Sequence, residues 1–273
     1  MSILVNGNNA SQVSVNDRGL MYGQCVFETI AISSGKPCLL DYHLDRLCNG
    51  AKTLGIRVDR NIITDEVASL ASSLDKGVVR VNLTMGEGGR GYQNPSKPKT
   101  TRIVSLHDYP SYDKSYWNEG VTLGLAEIRL SKQPSLAGIK HGNRLEQIIA
   151  RSQWKDGWQE ALLLDSDDQV IEATQSNVFL VKNNKLMTPS LDASGVAGVM
   201  RQCVINEAKG NGFEVLIKTV RVDDVMQADE VFLTNSIIGV WPVKEFNQIK
   251  YNGFNITNKL LKNIIKNEFI PTF

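Results

Sequence analysis

The sequence has little that would commit it to metal, nucleic acid or membrane. Its four cysteines, Cys25, Cys38, Cys48 and Cys203, are scattered and form no C-x-x-C pair. That usage fits a reducing compartment and lacks metal-site spacing. Three histidines occur, His43, His107 and His141, far apart in the chain, which argues against zinc. The formal net charge is +1, from 30 Lys and Arg against 29 Asp and Glu, so there is no electrostatic footprint for nucleic acid or anionic lipid. No apolar run approaches the ~18 residues that span a bilayer. The opening segment, residues 1–7, has neither a basic n-region nor a long apolar h-region. Repeats and low-complexity stretches are missing too. These absences lead to the expectation of a cytoplasmic globular protein.

What is present is a chain of 273 residues, 42% hydrophobic and 22% charged, enough for two ordinary domains. Residues 3–5 read as a strand, turned by Asn6-Gly7 into a return strand marked by Val13 and Val15. Residues 17–23 read as a loop, 26–32 as a strand and 37–40 as a short strand after a turn. Asp41 is an expected N-cap for a helix reaching Leu54, and a second helix is expected over 65–74. Clean alternation over 79–85 predicts a half-buried strand, residues 86–91 a mobile glycine loop, and 101–106 another strand. The polar, aromatic stretch 110–120 is the candidate junction, dividing a smaller α/β domain, 1–115, from a larger one, 116–273. Beyond it, strands are expected over 121–128, 161–164, 170–172, 177–181, 185–188, 213–217 and 230–234. Helices are expected from the Lys140 segment to near Gly157, over 198–207 and over 258–267. Mixed strands and helices in both halves predict two α/β or α+β domains with a cleft between them.

Four segments carry candidate chemistry. In residues 136–150 a short apolar run reaches Lys140, and Leu145, Ile148 and Ile149 follow at helical spacing. A partly desolvated lysine at such a junction can act as a Schiff-base nucleophile or general base. Ser194-Gly-Val-Ala-Gly-Val-Met-Arg201 is a glycine-rich turn entering a helix. Its Gly198, Val199 and Met200 N–H groups would suit a phosphate. Thr234, Asn235 and Ser236 after a strand, and Arg46 on an early helix, can serve the same anion. Glu172 lies in an apolar, strand-rich region, where a buried carboxylate needs a cationic partner such as a pyridinium nitrogen. Each feature alone also has a plain structural explanation: a surface lysine, a glycine helix start, a strand-end glutamate. Together they are the parts of a pyridoxal phosphate site.

The segments Asp17-Arg-Gly19, Leu44-Asp-Arg-Leu47, Gly138-Ile-Lys140, Glu172 with Asn177-Val-Phe179, and Gly198-Val-Met-Arg201 occur in the order seen in the fold-type IV, class IV aminotransferase-like pyridoxal phosphate enzymes. The sequence resembles that family over nearly its whole length. The resemblance implies a two-domain α/β fold of the D-amino acid aminotransferase type, with the cofactor, pyridoxal 5'-phosphate, in the cleft between domains. It implies that Lys140 carries the cofactor, that Glu172 pairs with its ring nitrogen, and that Arg46, Val199, Met200, Asn235 and Ser236 hold its phosphate. Within the family, residues 137–147 and Gly88-Gly-Arg-Gly-Tyr92 look most like the lyase branch. That branch releases 4-aminobenzoate and pyruvate from 4-amino-4-deoxychorismate in folate biosynthesis. Arg90, Tyr92 and Arg144 would then bind substrate carboxylates, and Lys140 or Thr29 would protonate the leaving group. A homodimer, and a functional link to the aminodeoxychorismate synthase that makes the substrate, are also implied. The alternatives are a D-amino acid or branched-chain aminotransferase of the same fold and, from a different class, a noncatalytic phosphate-ligand binding protein. The sequence departs from the family pattern at Gln24-Cys25, where Asp-Gly is usual, at Phe27, where the D-amino acid enzymes have tyrosine, and at Gly142.

Overall fold

A computed structural model describes residues 2–272. The chain divides into two compact units. One runs to Pro110 and includes Ile139–Asn143; the other comprises Ser111–Gly138 and the chain from Arg144 onward. The Lys140 segment, expected in the second domain, is therefore grouped with the first.

The first unit is a six-stranded antiparallel sheet carrying helices. Its elements are β1 (Ile3–Val5), β2 (Asn8–Asn9), α1 (Arg18–Tyr22), β3 (Cys25–Ser33), β4 (Lys36–Pro37), α2 (Leu40–Thr53), α3 (Arg60–Ala71), β5 (Lys76–Thr84) and β6 (Thr101–Asp108), and the strand order is β2-β1-β6-β5-β3-β4. Asn6 and Gly7 both take positive φ, +52° and +82°. This tight turn pairs Leu4 with Asn9 directly. The return strand is thus Asn8–Asn9, and Val13 and Val15, expected in it, are exposed. Residues 17–23 form a short helix rather than a loop, because the Asp17 carboxylate accepts the Gly19 N–H and caps it. Asp41 does not cap α2. The helix starts at Leu40 after a left-handed Leu39 and leaves Asp41 in the first turn, paired to Arg60 at 2.9 Å. Helix α3 begins before the expected Asp65, at Arg60, since Asp59 caps it through the Asn61 and Ile62 N–H groups. The apolar stripes Leu44, Leu47, Ala51 of α2 and Ile63, Val67, Leu70 of α3 pack on the sheet, where Ile30, Val79 and Leu83 are fully covered.

The second unit is built on a nine-stranded mixed sheet. Its elements are α4 (Ser115–Asn118), β7 (Val121–Leu130), α5 (Leu145–Ser152), β8 (Glu160–Asp165), β9 (Val170–Ala173), β10 (Asn177–Lys182), β11 (Lys185–Pro189), α6 (Val199–Gly210), β12 (Val215–Lys218), α7 (Val222–Met226), β13 (Glu230–Asn235), β14 (Gly239–Phe246), β15 (Ile249–Lys250) and α8 (Asn255–Lys266). The order is β12-β11-β10-β13-β14-β7-β8-β9, with β15 on β14. Strands β8 to β10 and β13 are buried almost throughout, as continuous apolar runs require. Phe179 and Phe232, opposite each other on β10 and β13, stack with centroids 5.0 Å apart. Strand β14 was not expected from sequence, since Trp241-Pro-Val reads poorly as a sheet interior; it is the strand that joins the β13 side to β7. Helix α5 stops at Ser152, short of Gly157, and its apolar residues Leu145, Ile148 and Ile149 face solvent in the single chain.

Replacing the fully buried Leu83 by alanine should cost about 2–5 kcal/mol of stability, read as a lowered urea midpoint for the first unit by circular dichroism.

Candidate active site

In the first unit the site is built on the start of β3. The Phe27 N–H donates to the Lys140 carbonyl at 3.0 Å, and the Gly142 N–H donates to the Cys25 carbonyl at 3.0 Å. Val26 and His141 form an antiparallel bridge. Lys140 thus lies in an extended segment paired to β3, not at a helix start; α5 begins only at Leu145. Backbone pairing holds the half-buried Lys140 on a rigid frame, with its ammonium 4.5 Å from the Phe27 ring centroid. The Arg80 guanidinium lies 4.4 Å from the same ring, and burial lowers the Arg80 pKa. Both cations thus lie within cation–π range of the Phe27 ring. Thr29 follows two residues after Phe27 on β3, on the same strand face.

The opposite face of β3 carries Glu28, which is wholly buried. Its carboxylate accepts from Arg46 Nε at 2.7 Å, Arg46 Nη2 at 2.5 Å and His43 Nδ1 at 2.6 Å. Burial opposes ionisation of Glu28 most strongly, yet Arg46 and His43 outweigh it together and hold its pKa at about 2. Burial lowers the His43 pKa in turn, against the pull of Glu28 and with help from Arg46 and Lys140. His43 is therefore a neutral donor through Nδ1–H, and Arg46 is held in a bidentate fork. Glu28 and His43 were missed in the sequence. The signals were present: a glutamate inside an apolar strand, and a histidine one helical turn before Arg46.

In the second unit Glu172 lies on β9, 4% exposed, and its Oε2 accepts the Val196 N–H at 2.8 Å. Gly195 has φ +84°, and a Cβ there would meet Ile171, Leu191 and the Glu172 carboxylate at 2.6, 2.8 and 3.3 Å. Glycine is thus required for the backbone to reach Glu172. Gly198 caps α6, whose first turn has no side-chain cap. A Cβ on Gly198 would stand 1.9 Å from Asn177 Oδ1, and Asn177 Nδ2 donates to the Val196 carbonyl at 2.9 Å. Asn177 and Glu172 together fix residues 196–198, which present the N–H groups of Val199 and Met200 at the positive end of a twelve-residue helix.

Ser236 follows β13 in a turn shaped by Asn235. The Asn235 Oδ1 accepts from the Ile237 and Ile238 N–H groups at 2.9 Å each, and its Nδ2 donates to Ser176 Oγ at 3.2 Å. Asn235, expected at the phosphate, thus uses its side chain to shape the turn that presents Ser236. Thr234 lies within β13 with its hydroxyl buried and without a hydrogen-bond partner among the described residues. Arg144 immediately precedes α5, and its carbonyl starts the helix by accepting from Ile148. Arg90 and Tyr92 lie in the loop between β5 and β6; Tyr92 is 90% exposed and packs edge-on against Tyr22.

A second buried carboxyl lies near Glu172. Glu160 accepts from Ser176 Oγ at 2.9 Å and the Gln175 N–H at 3.2 Å, while its Oε2 has no partner among the described residues. Burial, with a contribution from the Glu172 charge, pushes its pKa up to about 8, so it is a neutral acid at pH 7. Unit by unit, the chemistry fits pyridoxal phosphate: the first unit offers an amine on a rigid extended segment and a clamped arginine, the second a buried carboxylate and a helix N-terminus without a side-chain cap.

Residues 25–246 match the model of the family described as amino-transferase class IV. The chain is 34% identical to the aminodeoxychorismate lyase of Vibrio harveyi, an alignment covering 95% of this chain and 98% of that protein. It is similar in structure to the 4-amino-4-deoxychorismate lyase of Pseudomonas aeruginosa, with a TM-score of 0.95, 40% identity, and coverage of 98% of this chain and 100% of that one. The branched-chain amino acid aminotransferase of Escherichia coli shares the fold, at a TM-score of 0.86 and 23% identity over 98% of this chain and 94% of that one. The chain belongs to the class IV aminotransferase family, and its mixed α/β fold is the one the resemblance implied.

The Glu160 carboxyl sets a stability prediction. Its folded pKa of about 8 exceeds its ordinary value of 4.5, so between these values the folded protein keeps a proton that the unfolded chain has lost. Stability should therefore fall as pH rises through that window. Urea midpoints at pH 5.5 and 8.5 are expected to differ in wild type, and to differ less in Glu160→Gln.

Proposed function

We propose that this protein is a pyridoxal phosphate-dependent lyase that converts 4-amino-4-deoxychorismate to 4-aminobenzoate and pyruvate for folate biosynthesis. The observation that carries the reading is the end-to-end likeness to the P. aeruginosa and V. harveyi lyases, in a chain that holds Lys140 half-buried over Phe27 beside the Glu28–Arg46–His43 cluster. When bound, the cofactor supplies an electrophilic carbon for the substrate amine and a ring that accepts electron density.

The chain's own residues then divide the work. Lys140 is the residue that would hold the cofactor, through its Nζ, and its amine is the base of the site when it is not so engaged. Once free, it removes the proton from the substrate ring carbon that bears the amine. Its rigid pairing to β3 limits the positions Nζ can reach, which favours proton transfer at one carbon. Glu172, buried and oriented by the Val196 N–H, is the carboxylate that would favour a protonated ring nitrogen on the cofactor. Arg46, clamped by Glu28 in the first unit, and the Val199 and Met200 N–H groups with Ser236 in the second, are the groups that would hold the phosphate. Asn235 acts there by shaping the turn. Arg90, Tyr92 and Arg144 receive the substrate carboxylates. Lys140 or the Thr29 hydroxyl delivers a proton to the departing oxygen as the enolpyruvyl group leaves, and aromatisation makes that step strongly downhill.

The protein acts in this reading as a cytoplasmic homodimer, supplied with substrate by an aminodeoxychorismate synthase. The exposed apolar stripe Leu145, Ile148 and Ile149 on α5 supports burial against a second copy. No helix among the described residues is long and apolar enough to cross a membrane.

Given enzymatically generated 4-amino-4-deoxychorismate, the protein should release 4-aminobenzoate and pyruvate in equal amounts, and Lys140→Ala should lower kcat by roughly a thousandfold or more. Near-normal turnover by that variant would sink the mechanism. A yellow, cofactor-loaded protein that makes no 4-aminobenzoate but exchanges amino groups with keto acids would be an aminotransferase instead. Ile148→Asp is expected to shift the protein towards monomer in sedimentation velocity.

A further inference from the structure

The triplet Asp17-Arg18-Gly19 takes no part in the chemistry above, yet Asp17 and Arg18 are each only 2% exposed. Asp17 ties α1 to the sheet. Its Oδ1 accepts the Gly19 N–H at 2.8 Å, and its Oδ2 accepts the hydroxyls of Thr84 at 2.8 Å and Thr101 at 2.7 Å, at the facing ends of β5 and β6. Gly19 permits this approach, because a Cβ there would meet Thr84 Cγ2 at 2.5 Å. With Asp17 committed in this way, Arg18 forms no ion pair among the described residues. A buried guanidinium without a counter-ion must be satisfied by neutral acceptors.

Those acceptors belong largely to one loop. Arg18 Nη1 donates to the Gly91 carbonyl at 2.9 Å and more weakly to the Gly89 carbonyl at 3.4 Å, and Nη2 reaches the Tyr92 carbonyl at 3.4 Å. Nε donates to Gln24 Oε1 at 2.6 Å, and Gln24 Nε2 donates in turn to Asn94 Oδ1 at 2.9 Å. The guanidinium also lies 4.7 Å from the Tyr22 ring centroid, and the Tyr22 hydroxyl accepts the Gly91 N–H at 3.1 Å. The glycines of the loop follow from this arrangement. A Cβ on Gly88 would meet Arg18 Cδ at 2.5 Å, and Gly91 has φ +81°. Gly89 has open space around it and no positive φ.

The geometry points to Arg18 as the positioning residue of the substrate loop: it holds residues 89–92 in one conformation before substrate arrives, so that Arg90 and Tyr92 are presented ready-set. This rests on the assignment of Arg90 and Tyr92 to the substrate carboxylates under the lyase reading. The requirement is for arginine rather than for charge. Carbonyls at 89, 91 and 92 and the Gln24 amide are reached from three nitrogens of one planar fork, which a lysine ammonium on a flexible stem does not reproduce. Ordering the loop in advance removes a conformational cost from substrate binding and leaves the proton transfers at Lys140 unchanged.

The test compares Arg18→Lys, Gly88→Ala and, as a control at a glycine with open space outside the loop, Gly253→Ala with wild type, all as cofactor-loaded protein. Three readouts are needed: amide hydrogen exchange of residues 89–92, cofactor content by absorbance, and KM and kcat for 4-amino-4-deoxychorismate. Arg18→Lys and Gly88→Ala should each speed exchange at 89–92 by about tenfold or more and raise KM by roughly tenfold with kcat within about twofold. Cofactor content should stay at the wild-type level, and Gly253→Ala should behave as wild type throughout. Unchanged exchange in both Arg18→Lys and Gly88→Ala would overturn the proposal. Faster exchange with an unchanged KM would overturn the link between this loop and substrate. Should the wild-type protein make no 4-aminobenzoate, the lyase reading fails, and the exchange comparison still decides whether Arg18 holds the loop.

Discussion

A carboxylate buried where water cannot reach it governs the first unit. Glu28 on β3 is tolerable only because Arg46 forks onto it and His43 donates to it. Both partners come from α2, so the same ion cluster fixes the rotation and height of that helix against the sheet. Arg46 and His43 hold the Glu28 pKa down at about 2, so the carboxylate is ionised at pH 7. A lone Arg46 at this position would be a mobile cation. Forked onto Glu28, its guanidinium is held in one orientation before any anion arrives.

Strand β3 also organises its other face. Phe27, beside Glu28 in sequence, points the opposite way, and its ring meets the ammonium of Lys140 and the guanidinium of Arg80. The Lys140 segment is added to β3 by backbone hydrogen bonds, which depend on no side chain. The Arg46 clamp and Lys140 are therefore placed by one strand, through its two faces and its edge. In the second unit a comparable economy holds residues 195–198: Glu172 binds the Val196 N–H, Asn177 binds the Val196 carbonyl, and glycines at 195 and 198 leave room for both. The helix N-terminus that follows is set by side chains that precede it in the sheet.

Glycine carries different meanings at different places in this chain. In residues 86–91 the composition reads as mobility, and the residues were expected to move. The structure shows a loop whose carbonyls bind a buried arginine, with glycine at 88 imposed by the approach of Arg18. Composition alone does not distinguish a glycine kept for freedom from one kept for close approach, because the colliding atom belongs to a residue far away in sequence. The same limitation hid Glu28 and His43, whose partnership spans β3 and α2, and it hid β14, which carries a proline in the sheet and is identified by its neighbours rather than by its own pattern.

Sequence by itself determined the elements with strong local periodicity: β3, β5, the buried runs of β8 to β10, and the helix opening on Gly198. The family was legible there too: the resemblance rested on Lys140, Glu172, Arg46 and the 198–201 motif, and residues 25–246 match the family model. Helix starts were less accessible, because Asp17 and Asp59 compete with Asp41 as caps on local signals alone. Tertiary structure decided what each polar residue is for. It gave Asn235 to a turn, withdrew Thr234 into the core, left the α5 stripe on the surface of the single chain and gathered Arg18 under the glycine loop. The physical reason is range. Helical and strand periodicity act between residues that are close in sequence, whereas desolvation and hydrogen-bond satisfaction act between groups that only folding brings together.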